Sequence, residues 1–97
     1  MNPAPPKFYY VYILKSCKKE WIYIGLTTNL KRRVEEHLLG KNYSTGKYLP
    51  IQLIYYEAYR SLADANNREK SLKQYGSALR LLKRRISHTL NNKGGAG

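Results

Sequence analysis

The chain has 97 residues, a single cysteine, and 18 lysines and arginines against 6 aspartates and glutamates, for a net charge of +12. That length allows one small domain with its own core and no room for a second module. There is no apolar run long enough for a membrane span, no signal-peptide core and no Cys/His cluster at zinc spacing. Charge of this sign and size points instead to a polyanionic partner, most simply nucleic acid.

Cys17 has no internal partner, which fits a reducing cytoplasm. Ten tyrosines stand against one Phe and one Trp. A phenol fills an apolar site, stacks on bases and offers a hydroxyl, so the excess suits a nucleic-acid surface. A basic membrane-surface protein is the competing class. It is a poor fit, because no segment combines a broad hydrophobic helix face with a basic one.

Residues 1–7 open with MNPAPP and read as a flexible arm, and residues 90–97 read as a flexible tail. Between them, residues 8–89 form one domain. Phe8 to Lys15 (FYYVYILK) is β-branched and aromatic on both faces and reads as a well-covered strand. Trp21 to Leu26 is its hairpin partner. A two-residue turn at Cys17-Lys18 would set Tyr12 opposite Tyr23, two phenols side by side on one face.

Asn29 is a good N-cap for a helix over residues 30–39 that ends at Gly40. Leu30, Val34 and Leu38 make its apolar stripe, bordered by Arg33 and His37, which lie one turn apart on a shared face. Glu35 and Glu36 point more toward water. Gly40 to Pro50 (GKNYSTGKYLP) is a polar, basic loop. It only superficially resembles a phosphate-binding P-loop: the glycine spacing is one residue too long and Tyr48 follows the lysine. Its Lys41, Tyr43, Ser44 and Lys47 read as contacts to a nucleic-acid backbone.

Residues 51–59 (IQLIYYEAY) form a third strand. Ser61 and Asp64 then open a helix that runs to about Tyr75 and is stopped by Gly76. Ser77 caps a last basic helix to about Thr89. The order β-β-α-β-α-α predicts an α+β fold, a three-stranded antiparallel sheet flanked by helices.

Glu69 stands out. Leu62, Ala65 and Leu72 define the apolar stripe of its helix, and Glu69 falls on the same side. A carboxylate there needs an ion-pair partner, Arg33 or a lysine, or a metal ion. Both options are open from the residues alone. Arg33 could grip a phosphate with its planar fork, and His37 could move a proton near neutral pH. Each also has a plain reading: Arg33 as one surface charge in a KRR run, and His37 as a half-buried helix histidine. In the span 68–85, Arg68, Lys70, Lys73, Arg80, Lys83, Arg84 and Arg85 stand against one acid, Glu69, and read as a solvated basic face that doubles as a phosphate track, while Lys31 and Arg32 read as a solvated basic face that also meets nucleic acid.

These residues resemble the GIY-YIG nuclease superfamily, in particular its small standalone bacterial members and the N-terminal nuclease module of UvrC. The two family motifs match Tyr10-Val11-Tyr12 and Tyr23-Ile24-Gly25, and the ordered set continues through Arg33, His37 and Glu69. The resemblance covers residues 8–86. Tyr10 replaces the glycine of the first motif, and no asparagine after Glu69 matches the one found in several relatives.

The resemblance implies a metal-dependent endonuclease that hydrolyses DNA phosphodiesters, in repair or processing, with one Mg²⁺ or Mn²⁺ per site. It makes Tyr12 the general base, Tyr23 and Arg33 the phosphate holders, His37 a proton mover, and Glu69 both catalytic residue and metal ligand. The expected partners are branched, damaged or single-stranded DNA and a targeting protein, and the expected state is a cytoplasmic monomer. The alternative is a nucleic-acid-binding module that keeps the nuclease fold with little or no turnover.

Overall fold

The computed structural model describes residues 6–41 and 43–91, without the side chains of Tyr43 and Ser44. Strands β1 (Tyr9–Ser16), β2 (Ile22–Thr27) and β3 (Ile51–Tyr59) form one antiparallel sheet in the order β2-β1-β3. The centre falls to β1 because both of its faces are apolar: Val11, Tyr12, Ile13 and Leu14 are each at most 2 % exposed. The α+β expectation is met.

The helices are α1 (Leu30–Leu38), α2 (Tyr43–Gly46), α3 (Leu62–Gln74), α4 (Gly76–Arg85) and α5 (Ser87–Leu90). Local chemistry places two of the starts as expected. The Asn29 side chain accepts a hydrogen bond from Arg32 N, and that of Ser61 accepts one from Asp64 N. Gly40, at φ +74°, ends the first helical segment in the left-handed region.

Two layers pack on the sheet. On one face Tyr12, Leu14 and Ile51 are buried against Leu30, Val34, Tyr48 and Leu49, from α1 and the segment after α2. On the other, Val11, Ile13 and Ile24 meet Ala65 and Leu72 of α3 and Leu82 of α4. Each fully buried leucine in these layers contributes roughly 1.5–3 kcal/mol of transfer free energy. A bulge between Ile13 and Leu14 shifts the β1–β3 register, which sets Tyr55, Glu57 and Tyr59 on the α3 face and Tyr56 on the α1 face.

Five sequence expectations are corrected. Tyr12 faces Gly25, not Tyr23, and Leu14 faces Tyr23. The reason is a longer hairpin loop. Ser16 N still bonds Trp21 O, and Ser16 Oγ accepts from the N–H groups of Lys18 and Lys19, so four residues turn the chain instead of two. Leu38 is 48 % exposed and His37 is buried in its place, because the helix turns position 37, three after Val34, toward the sheet. The polar loop contains α2. Gly76 begins α4 instead of merely ending α3, with no side-chain cap, and the last helix breaks at Ile86 so that α5 is separate and reaches Leu90.

Candidate active site

The slip in the hairpin is two residues, and side chains alternate with period two, so Tyr12 and Tyr23 still share a face. Their rings lie 6.2 Å apart as diagonal neighbours. Gly25 makes room for them. A Cβ at Gly25 would run into Oη and Cζ of Tyr12 and come within 2.8 Å of Cε1. The phenol therefore lies over the bare backbone of the second motif's glycine.

α1 sits across this face. Val34 and Leu30 anchor it, which turns His37 inward and leaves Arg33, one turn earlier, at the rim. His37 is fully buried, with Nε2 3.0 Å from Tyr12 Oη and Nδ1 2.9 Å from Thr45 Oγ1. Thr45 comes from α2 and is equally buried. Every buried side-chain polar atom among the described residues has a partner, so this polar line is satisfied where a gap would be costly. The His37 ring also packs on Tyr23, 5.0 Å between centroids.

The electrostatics follow from the burial. Desolvation pushes the Tyr12 phenol up to about 12, and the neighbouring Tyr23 adds to the rise, while the Arg33 guanidinium pulls the other way. Burial, then the Arg33 charge, holds His37 below its ordinary value against a smaller opposite pull from Glu36. At neutral pH both groups are uncharged. His37 is then a neutral imidazole with one ring N–H, able to donate to one partner while accepting from the other.

Arg33 is 35 % exposed and donates to Glu36 Oε1 at 3.0 Å, and Arg32 donates to the same carboxylate at 3.3 Å. The bond to Glu36, more than any other contact, raises the Arg33 pKa, with Tyr12 and Tyr23 adding to it. Glu36, 29 % exposed at the cleft, thus also holds Arg33, a role the sequence did not signal. A small cleft of about 220 Å³ lined by Thr27, Thr28, Asn29, Arg32, Arg33 and Glu36 opens beside it.

Glu69 sits on α3, the helix that covers the opposite face. Its carboxylate is 21 % exposed and pairs with Lys73 at 3.3 Å, one turn away. Of the expected ion-pair partners the structure thus selects a lysine. No hydrogen bond or ion pair among the described residues joins Glu69 to Tyr12, Tyr23, Arg33 or His37. No three His, Cys, Asp or Glu side chains gather among those residues. A divalent ion at Glu69 would have to displace the Lys73 ammonium and take its other oxygens from water and phosphate.

The basic residues divide between the two sides. Lys31 and Arg32 are exposed on α1, and Lys41 and Lys47 flank α2; Tyr43 and Ser44 lie on α2 with side chains outside the described ones. Lys73, Arg80, Lys83 and Arg84 are exposed on α3 and α4, on the other side of the sheet. Arg68, from the same basic span, is committed elsewhere: its Nε and Nη2 donate to Glu57 at 2.9 and 3.0 Å.

Glu57, Thr45 and Glu36 are the polar residues that sequence reasoning passed over. Burial alone would raise the Glu57 carboxyl, but hydrogen bonds from Arg68, Tyr59 and Tyr55 bring it below its ordinary value. The alternation in IYYEAY could have signalled a carboxylate on a covered face. Nothing local marks Thr45.

The model of the GIY-YIG catalytic domain matches residues 8–83. The chain belongs to the GIY-YIG family. This GIY-YIG chain is 39 % identical over 70 residues to a UPF0213 protein of Haloquadratum walsbyi, across 70 % of the chain and 76 % of that protein. It is 40 % identical over 67 residues to a UPF0213 protein of Clostridium perfringens, across 67 % and 70 % of the two chains. A solution NMR structure of the UPF0213 protein BH0048 from Bacillus halodurans is 32 % identical, covers 92 % of this chain and 88 % of its own, and superposes with a TM-score of 0.47. Membership makes this a nuclease-type domain, and the UPF0213 names carry no activity. No helix among the described residues is long and apolar enough to cross a membrane.

Proposed function

We propose that this GIY-YIG chain is a metal-dependent endonuclease that hydrolyses phosphodiester bonds in DNA, in repair or processing. The observation that carries the reading is the buried line Tyr12–His37–Thr45 with Arg33 and Tyr23 at its rim.

A tyrosine held near 12 is a poor base at rest. It becomes a better one if its proton can leave as it accepts another. With Tyr12 O–H donating to His37 Nε2, the imidazole carries its own proton on Nδ1 and donates it to Thr45 Oγ1. In that tautomer Tyr12 takes a proton from the attacking water while passing its phenol proton to Nε2. His37, neutral because burial disfavours its cation, is ready to receive it. Arg33 then meets the scissile phosphate with the guanidinium face not used by Glu36, and the Tyr23 hydroxyl is a second donor to it.

Glu69 would hold Mg²⁺ or Mn²⁺ after giving up Lys73. When bound, such an ion would supply Lewis-acid stabilisation of developing negative charge. Lys31, Arg32, Lys41 and Lys47, on the Tyr12 side, would carry the flanking backbone. One site suits a nick by a monomer in the reducing cytoplasm, with target choice left to DNA structure or to a partner protein.

The test is incubation of the purified protein with labelled single-stranded, duplex and branched DNA, and with RNA, in Mg²⁺, Mn²⁺ or EDTA, beside Glu69→Ala. Metal-dependent cleavage absent from the variant is the expected result. Salt-sensitive binding with no cleavage by either protein would instead make the chain a binding module.

A further inference from the structure

The α1 face of the sheet is covered at only one end. α1 and the segment after α2 lie over Leu14, Ile51 and Leu53. Beyond Tyr12 no helix among the described residues packs on the face. Ala58 is exposed, Tyr10 is half-buried, and Tyr56 is 52 % exposed. Tyr56 is the direct cross-strand partner of Tyr12, so the two side chains rise from adjacent backbone positions on the same face. Tyr10, which stands where the first motif has a glycine, meets Tyr56 edge to face at 5.9 Å and 69°. That geometry steadies Tyr56 without covering its ring as a parallel stack would. Just past the strand ends, Arg60 lies 5.6 Å over the Phe8 ring, a cation at the far edge of the aromatic strip.

We propose that Tyr56, braced by Tyr10, is a stacking platform for an unpaired base next to the scissile phosphate, making the enzyme selective for strands unpaired at the cleavage site. The neighbouring phosphate contact rests on the nuclease reading given above. The argument for an unpaired base is geometric. Bases in a duplex already stack on both sides and present only their edges, so an exposed ring on an open sheet face has nothing to stack on. A single strand offers a free π-face at every nucleotide, and aromatic side chains on a basic surface take it regardless of sequence. The net charge of +12 supplies the attraction for the backbone. Isolated exposed tyrosines are common on protein surfaces. This one is braced by a second ring and lies directly opposite the buried tyrosine of the candidate site.

The experiment has two arms. In EDTA, a short single-stranded oligonucleotide carrying 2-aminopurine is titrated with wild type, Tyr56→Phe and Tyr56→Ala. Stacking should quench the probe for the first two proteins and not for the third. With Mg²⁺ or Mn²⁺, Tyr56→Ala should lower kcat/KM on single-stranded DNA by about tenfold or more and change duplex cleavage less than twofold, with Tyr56→Phe close to wild type. Equal quenching by Tyr56→Ala, or equal losses on both substrates, overturns the platform. Quenching without cleavage by any protein keeps the platform and removes the nuclease. Cleavage without quenching keeps the nuclease and removes the platform.

Discussion

Tyr12 Oη and His37 Nε2 lie 3.0 Å apart, on residues 1 % and 0 % exposed, 25 positions apart in the chain. The pair couples the first motif to the last turn of α1. Replacing His37 by Phe keeps a planar ring, somewhat larger, and removes the acceptor. Turnover should fall roughly 10²–10⁴-fold, the usual worth of a positioned proton acceptor. The orphaned Tyr12 hydroxyl should also cost about 1–3 kcal/mol of stability. Single-turnover cleavage of a labelled oligonucleotide and urea unfolding check the two parts. Unchanged cleavage would remove His37 from the chemistry.

Thr45→Val is the subtler variant. It removes the hydroxyl 2.9 Å from His37 Nδ1 at nearly constant size. If Thr45 sets the tautomer, the rate should drop about tenfold or more while DNA affinity in EDTA stays the same. The ring-nitrogen NMR shifts of His37 would report the tautomer directly. A variant with wild-type shifts and wild-type rate would leave Thr45 with a packing role only.

Gly25→Ala should damage the site through space, not backbone strain. The added methyl would drive into the Tyr12 ring. Overpacking of this kind costs about 1–3 kcal/mol, and the ring must move away from His37 to relieve it. The expected result is a lower Tm and a cleavage defect comparable with that of His37→Phe. A crystal structure with the Tyr12–His37 bond intact would contradict it.

The pH dependence of stability has two limbs. His37 is held below its ordinary value of 6.5, so the unfolded chain binds more protons just below that pH. Its contribution is complete above about 6.5 and is lost as pH falls toward the folded value. Tyr12, Tyr55 and Tyr59 are each raised to about 12, and their contribution is complete below about 10 and lost as pH climbs from there to about 12. Tm measured across pH should therefore form a plateau from about 6.5 to 10 that falls at both ends. In Tyr12→Phe the alkaline fall should be shallower. An identical alkaline limb in that variant would place the effect elsewhere.

Glu57→Gln tests the polar cluster on the far side of the sheet. It weakens the paired bonds from Arg68 and those from Tyr55 and Tyr59. The side chains are 14 % and 30 % exposed, so solvent screens part of the loss, and about 1–3 kcal/mol is expected from denaturant unfolding. Cleavage well below the new Tm should be near wild type. A selective loss of activity at full stability would show that this cluster serves the reaction.

Much of the fold was legible because local rules act alone. Asn29 and Ser61 cap helices whatever the rest of the chain does, and a strand apolar on both faces has to be covered on both. The shared face of Tyr12 and Tyr23 survived a wrong turn length because strand side chains alternate with period two. The sequence order of Tyr12, Tyr23, Arg33, His37 and Glu69 was enough to indicate the family. Which residue α1 buries was not legible, since positions 37 and 38 lie on either side of the same stripe and the hydropathy favours Leu38. The direction in which α1 lies across β1 decides it, and puts a histidine against Tyr12. Thr45 under His37, Glu36 on Arg33 and Glu57 on Arg68 are likewise tertiary facts. A polar side chain buried in a core takes whichever partner the packing brings to it, and that partner can lie anywhere along the chain.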